Sequence, residues 1–306
     1  MIPKWLLRRF DLFHRTVTLP NGFDLPYRSN TIPCCSECNA ALGVKIEEPV
    51  KDLLTGGFER FHGRLNDALP LLFRWLCLLV FKTHYRDQQM RMSPDRRMGD
   101  ERIGSLYQWD EFHHLHTVAR SALTGCRISE KILGSLFVVQ FEANEYDERF
   151  DYADLYPSQT VLVRVDDVAI IAALNDSGGA LNGLGTMIKK IAGNLSGLQI
   201  RELLAHLSSS NIHMKQRPKY STYFNPFDHS FEIRAELPDT LEWEPLDRQI
   251  LGKLMLQCCG PVVSRGAPSE DAKLKVLSDL STGRLTFLFN EDGSFNGQSV
   301  VKQDIA

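Results

Sequence analysis

Cys35 and Cys38 form a C-x-x-C pair inside the stretch T-I-P-C-C-S-E-C-N-A-A-L-G-V-K-I-E-E, residues 31–48. A two-residue gap lets both sulfurs face one point, which is how a tight turn gives two thiolates to a metal. Zinc takes four nitrogen or sulfur donors in a tetrahedron, so this turn offers half of such a site. The plainer reading is a pair of buried free thiols behind a hairpin, because cysteine is among the most buried residue types. Cys34 reads as structural, since adjacent side chains point apart. Glu47 reads as a solvated or salt-bridged helix residue.

The elements around the pair read as helix, hairpin, turn, helix. Pro3 opens a short helix over 3–12, with Trp5, Leu6, Arg9 and Phe10 at helical spacing. Thr16 to Leu19 and Phe23 to Tyr27 flank Pro20-Asn21-Gly22, and Asn-Gly between β-formers predicts a hairpin with a type I′ turn. Ser29 to Pro33 reads as a second extended piece. From Asn39 the apolar spacing Leu42, Ile46, Val50, Leu53, Leu54 is helical, with Pro49 a point of kinking and Gly56-Gly57 a stop.

These same residues resemble a known group. I-P-K-W-L-L-R-R-F, the Asn-Gly hairpin and I-P-C-C-S-E-C-N-A-A-L-G-V-K-I-E together resemble the later part of bacterial HNH (His-Asn-His) endonuclease-like, treble-clef zinc-finger proteins. The likeness covers about residues 2–50. Members of that group read C-x-x-C, then Glu-His and one apolar residue before Ile-Pro, then C-x-x-C-N and a helix carrying I-E. The resemblance implies that Cys35 and Cys38 are two of four structural zinc ligands and that Asn39 caps the helix. It implies action on nucleic acid, DNA being the partner, by metal-assisted phosphodiester hydrolysis with Mg or Mn. In that chemistry a histidine activates water while the divalent ion stabilises charge on the phosphate. Here Ile2-Pro3 follow Met1 directly, so no Glu-His and no first cysteine pair carry over, and no catalytic residue is assigned. The expectation is a shortened or inactive member; the alternative is a non-catalytic zinc-knuckle, nucleic-acid-binding accessory or structural protein.

Other residues that could do chemistry have simpler readings. His113, His114 and His116 follow Asp110 and Glu111; His113 and His116 would share one helix face, and Asp110 and His114 another. Without H-E-x-x-H spacing they read as surface histidines. Lys82, Arg86 and the run Arg91 to Arg97 are candidate phosphate contacts, although charge runs are usually solvated surface. Asp166-Asp167 lies between two β runs, Thr160 to Val165 and Val168 to Ala172, and reads as a turn. Asn175 to Gly185 lacks the spacing of a phosphate loop and reads as a loop. Ser208 to Ser210 lack a G-x-S-x-G context and read as following a helix end.

Composition bounds the rest. The chain of 306 residues has 35 basic and 38 acidic side chains, a net charge of −3, which excludes a globally basic nucleic-acid binder but not a local patch. Residues 1–128 hold 18 basic and 14 acidic groups, and 129–306 hold 17 and 24, so the front half is the one suited to an anionic partner. Seven cysteines without framework spacing suit a reducing, cytoplasmic setting. The longest apolar run, Ala68 to Phe81, contains Arg74 and is too short for a bilayer, so no membrane partner is expected and a buried helix is. The fold class is read as α+β, with a knuckle module over 1–57, a helical region over 58–128 and an α+β region of unassigned role over 129–306. Within these, helices are predicted at 67–92, 110–123, 186–193, 199–207 and 247–258. Strands are predicted at 136–141 and 231–235, and a tail follows the last helix. Oligomeric state is open.

Overall fold

The computed structural model describes residues 2–143, 147–266 and 269–297. The fold is α+β, as the alternation of periodicities predicts. It divides into two compact units: 1–56, 63–132 and 220–234 make the first, and 57–62, 133–219 and 235–306 the second. No helix among the described residues is long and apolar enough to cross a membrane.

The first unit opens with α1 (Lys4–Arg9), which buries Leu6 and Leu7. The hairpin follows as β1 (Thr16–Thr18) and β2 (Asp24–Pro26), antiparallel with Val17 opposite Leu25. Its turn is not the expected type I′. The Gly22 amide donates to the Leu19 carbonyl at 2.8 Å, and only Gly22 has positive φ, +81°. Pro20, with φ locked near −65°, selects a three-residue loop ending in a left-handed glycine instead. Asn21 at the tip donates to the carbonyls of Arg91 and Met92 at 3.0 and 3.2 Å. The predicted extended piece after the hairpin begins as a 3-10 turn, Tyr27–Ser29, and no strand follows it before the cysteines.

Helix α2 (Ser36–Leu42) starts three residues earlier than the apolar pattern suggests. It runs through a π turn, Gly43–Glu47, into α3 (Glu48–Leu54). Pro49 sits in the first turn of α3, where its missing N–H costs least, and the π turn just before it absorbs the change in pitch. The apolar stripe behaves as expected: Leu42, Ile46, Val50, Leu53 and Leu54 are all buried. Helix α4 (Phe58–Asp87) starts nine residues before the predicted 67 and buries Leu72, Phe73 and the run Trp75 to Val80. Arg74 in that run donates from Nε to Ser121 Oγ at 2.9 Å. Helix α5 (His113–Thr124) stops at Gly125, φ +71°, whose N–H reaches the Ser121 carbonyl.

A short β3 (Arg127–Ile128) pairs in parallel with the strand Ser230–Glu236, in a three-stranded sheet with Lys219–Asn225.

The second unit is built on an antiparallel sheet of β4 (Leu136–Gln140), β5 (Phe150–Leu155), β6 (Thr160–Val165) and β7 (Val168–Ala173), in the order β4-β7-β6-β5. Every residue of β6 and β7 is buried. Full burial of one aliphatic side chain is worth about 1.5–3 kcal/mol, so this pair of strands anchors the unit. Asp166 takes positive φ, 53°, at their turn, as a turn aspartate should. Asp167 does more than turn the chain: its carboxylate accepts the Phe58 amide at 3.0 Å and caps α4.

The predicted loop at 175–185 is partly folded, with α6 (Gly179–Gly183), and the helix predicted at 186–193 is present as the shorter α7 (Gly185–Ile188). Buried Asp176 organises it by accepting from the Ser135 and Ala180 amides, both at 2.7 Å. Helix α8 (Gly197–Ile212) carries a full capping box, Ser196 with Gln199, and packs across β6 and β7. Strands β8 (Lys219–Asn225) and β9 (Ser230–Glu236) complete the smaller sheet. Helix α9 (Arg248–Gly266) lies on α8, and α10 (Glu270–Ser281) on α9. The last helix replaces much of the predicted tail; residues 298–306 of that tail lie outside the described residues.

Candidate functional site

Cys35, not Asn39, is the N-cap of α2. Its backbone is extended, and its Sγ accepts the Cys38 amide at 3.2 Å. Asn39 is one turn inside the helix, donating its N–H to the Cys35 carbonyl at 3.0 Å. A sulfur in the cap position does what a serine oxygen would: it satisfies an amide that the helix start leaves open.

The two thiols also meet each other. The Cys38 thiol donates to Cys35, and this is the leading reason the Cys35 thiol is shifted down from its ordinary value. The amides of Cys38 and Glu37 add to the effect. The Cys38 thiol shifts the other way, because it is the donor of that bond and because Cys35, Cys34 and Glu37 repel a second negative charge.

Cys34, Cys35 and Cys38 are all exposed. This overturns the reading of Cys35 and Cys38 as buried thiols. The buried cysteines are elsewhere: Cys77, Cys126, Cys258 and Cys259. Donor chemistry and convergence fit two of the four positions of a zinc site. Among the described residues no group of three or more His, Cys, Asp or Glu side chains is placed to hold a metal. Glu47 is the salt-bridged helix residue expected, 3.2 Å from Lys82.

The histidines after Asp110 separate. His114 is buried and stacks on Tyr220, ring centroids 4.5 Å apart and nearly parallel. His113 and His116 do share a face, and with Asp110, Phe81, Trp109 and Phe112 they line an open cleft of about 540 Å³. Asp110 thus joins His113 and His116 rather than His114, because residues 109–112 form a 3-10 turn that changes the angular spacing. His116 stacks on Phe81 at 4.7 Å, and Phe81 on Tyr85 at 6.0 Å. Burial, then Arg120 and His113, shift His116 down and favour the neutral imidazole. Aromatic spacing around 107–112 in the sequence could have flagged this cleft.

The remaining candidates have neighbours of their own. Arg91 pairs with Asp100, and Arg97 with Asp95, both at 2.7 Å, so two of the three arginines in that run are balanced locally. Ser208 to Ser210 lie inside α8 and are buried, with Ser208 hydrogen-bonded to Ser158.

No family model matches the chain, and no curated protein or solved structure matches it either.

Proposed function

We propose that the chain is an HNH endonuclease-like protein that acts on nucleic acid, with the Cys35–Cys38 turn as the helix-side half of a treble-clef zinc centre. One observation supports this reading: two exposed free thiols, Cys35 capping the helix by accepting the Cys38 amide at 3.2 Å, stand at the start of a helix that follows a β-hairpin. That is the placement a treble clef requires of its second ligand pair. Cys35 and Cys38 would hold the ion, and zinc in such a place braces hairpin against helix and contributes folding energy.

Phosphodiester hydrolysis with Mg or Mn needs an imidazole base beside the divalent ion. The form of the reading put to the test is the non-catalytic one, a zinc-braced nucleic-acid-binding protein. The test has two arms. Purified protein should carry zinc, lost in the double variant Cys35→Ser/Cys38→Ser; no zinc in the parent protein would end the metal reading. A labelled duplex and its single strands should bind in a salt-dependent way, and a supercoiled plasmid with Mg²⁺ or Mn²⁺ should stay uncut. Cutting that depends on Cys35 would restore the nuclease form.

A further inference from the structure

We infer that the cleft lined by Phe81, Trp109, Asp110, Phe112, His113 and His116 is a binding site for a guanine base. It is an open cleft of about 540 Å³, so a ligand would lie on its aromatic surface rather than be enclosed. Its lining is mostly aromatic and imidazole, with a single carboxylate and no lysine or arginine.

Two of the lining rings, Phe81 and His116, are stacked, and Tyr85, outside the lining, stacks on Phe81 in turn. Tyr85 and Phe81 are inclined by 19°, and Phe81 and His116 by 24°. A flat heterocycle extends such a stack, gaining contact on its face without needing a charge. The Trp109 indole N–H donates to the Gly104 carbonyl at 3.0 Å, which fixes that ring and leaves its surface rather than its N–H for a ligand. His84, Tyr107, Trp109 and Phe112 pack ring against ring behind the cleft, so the platform is braced before any ligand arrives.

The carboxylate selects among bases. Asp110 is exposed, in the same short turn as Trp109 and Phe112. A carboxylate accepts two parallel hydrogen bonds from a ligand that presents two adjacent N–H donors. Guanine does so with N1–H and its 2-amino group. Adenine presents an acceptor at N1, cytosine an acceptor at N3 beside one amino group, and uracil or thymine a single N–H between two carbonyls. Each of these meets the carboxylate with a repelling lone pair. The same carboxylate disfavours a phosphate in the cleft, so the sugar and phosphate must lie outside it. A free guanosine and a guanine unstacked from a single strand present the same edge. Only the second source rests on the nucleic-acid reading above; the binding itself does not.

Titration calorimetry on the full chain with guanosine, adenosine and cytidine tests the site. Guanosine should bind tenfold or more tightly than the other two, the discrimination usual for a bidentate base contact. Asp110→Asn should erase that preference, because its amide offers one acceptor and one donor. Asp110 is exposed, so the variant should keep the parental circular dichroism and melting curve. Equal binding of the three nucleosides, no binding of guanosine, or an unchanged preference in Asp110→Asn would overturn the proposal. A thymidine octamer with one central guanine, set against the all-thymidine octamer, identifies the source. A preference for the guanine strand at least as tight as guanosine makes it nucleic acid, and guanosine alone binding makes it a nucleoside. Binding of both octamers alike, with no guanosine binding, would sink the guanine site while leaving the nucleic-acid reading intact.

Discussion

Two pairs of cysteines, one in each unit, show how little the residue type alone decides. Cys35 and Cys38 are exposed at a helix start, where the Cys35 sulfur accepts the Cys38 amide. Cys258 and Cys259 are neighbours within α9 and fully enclosed. There burial pushes the Cys258 thiol up to about 12, and Cys259 also well up. Cys259 donates to the Leu198 carbonyl at 3.9 Å, and the Cys258 carbonyl accepts Arg201 Nη1 at 2.7 Å. The second pair is packing material. The first caps a helix, Cys35 accepting the Cys38 amide, and it faces water. Spacing made the difference: a two-residue gap at a cap turns two sulfurs together, whereas adjacency inside a helix points them apart.

The largest contrast should appear in thiol chemistry. Below both pKa values, each unit of difference is a tenfold difference in thiolate. With Cys258 pushed up to about 12 and Cys35 shifted down from its ordinary value, the Cys35 thiolate should far exceed that of Cys258, before burial adds its own barrier. A pulse of iodoacetamide on chelator-treated native protein near neutral pH, read peptide by peptide in a mass spectrometer, should label Cys35 first. Cys38 should lag behind it, and Cys258 and Cys259 should label only after denaturation. Adding zinc should slow Cys35 and Cys38 together. Equal labelling of Cys35 and Cys258 would erase the distinction between the two pairs.

Carboxylates repeat the contrast. Glu202 on α8 is wholly buried and accepts from Thr286 Oγ1 at 2.6 Å and from the amides of Phe287 and Leu288. Glu37 in the cysteine turn is exposed. Glu202→Ala takes the acceptor from the Thr286 hydroxyl and the Phe287 amide, leaves the Leu288 amide only Thr286 Oγ1 at 3.2 Å, and should cost about 3–5 kcal/mol in urea unfolding. Glu37→Ala should stay within about 0.5 kcal/mol of the parent. A loss under about 1 kcal/mol at Glu202 would mean that the 285–288 segment finds other partners, and the second unit would be less dependent on its buried polar groups than its geometry says.

How much of this was readable in advance varies along the chain for identifiable reasons. The stripe from Leu42 to Leu54 and the buried run in α4 were legible, because helical periodicity survives in a single sequence. The β6–β7 hairpin was legible from its two apolar runs around Asp166-Asp167. Strands β5 and β8 were not: F-D-Y-A-D-L and K-Y-S-T-Y-F-N mix polar and aromatic residues, and cross-strand neighbours define them. Helix α6 hid in a Gly/Ser/Asn-rich stretch because buried Asp176, held by Ser135 from 41 positions away, organises the segment, whereas α7 just after it falls where a helix was expected. The cap of α2 was missed for a simpler reason. Cysteine is not among the usual cap residues, so attention fell on Asn39. In the cleft, Asp110 and His116 look unrelated until the 3-10 turn at 109–112 brings them to one wall.

Smaller effects sharpen the comparison of the two cysteine pairs further. Cys258→Ser puts a hydroxyl where the thiol is enclosed and the nearby backbone carbonyl is already taken by Arg201, so a loss of about 1–3 kcal/mol is expected. Cys35→Ser should do the reverse on metal-free protein. Serine is a preferred N-cap, and its oxygen can accept the Cys38 amide that the sulfur accepts now. Unfolding midpoints of metal-free parent and variant should therefore agree within about 0.5 kcal/mol, or the variant should be slightly the more stable. The two should part only when zinc is added, because a hydroxyl is a poor substitute for a thiolate ligand and only the parent should gain stability from the metal. A Cys35→Ser variant that is much weaker than the parent without metal would show that the sulfur is structural at this turn, and the kinship between the exposed pair and a metal-braced helix start would lose its physical ground.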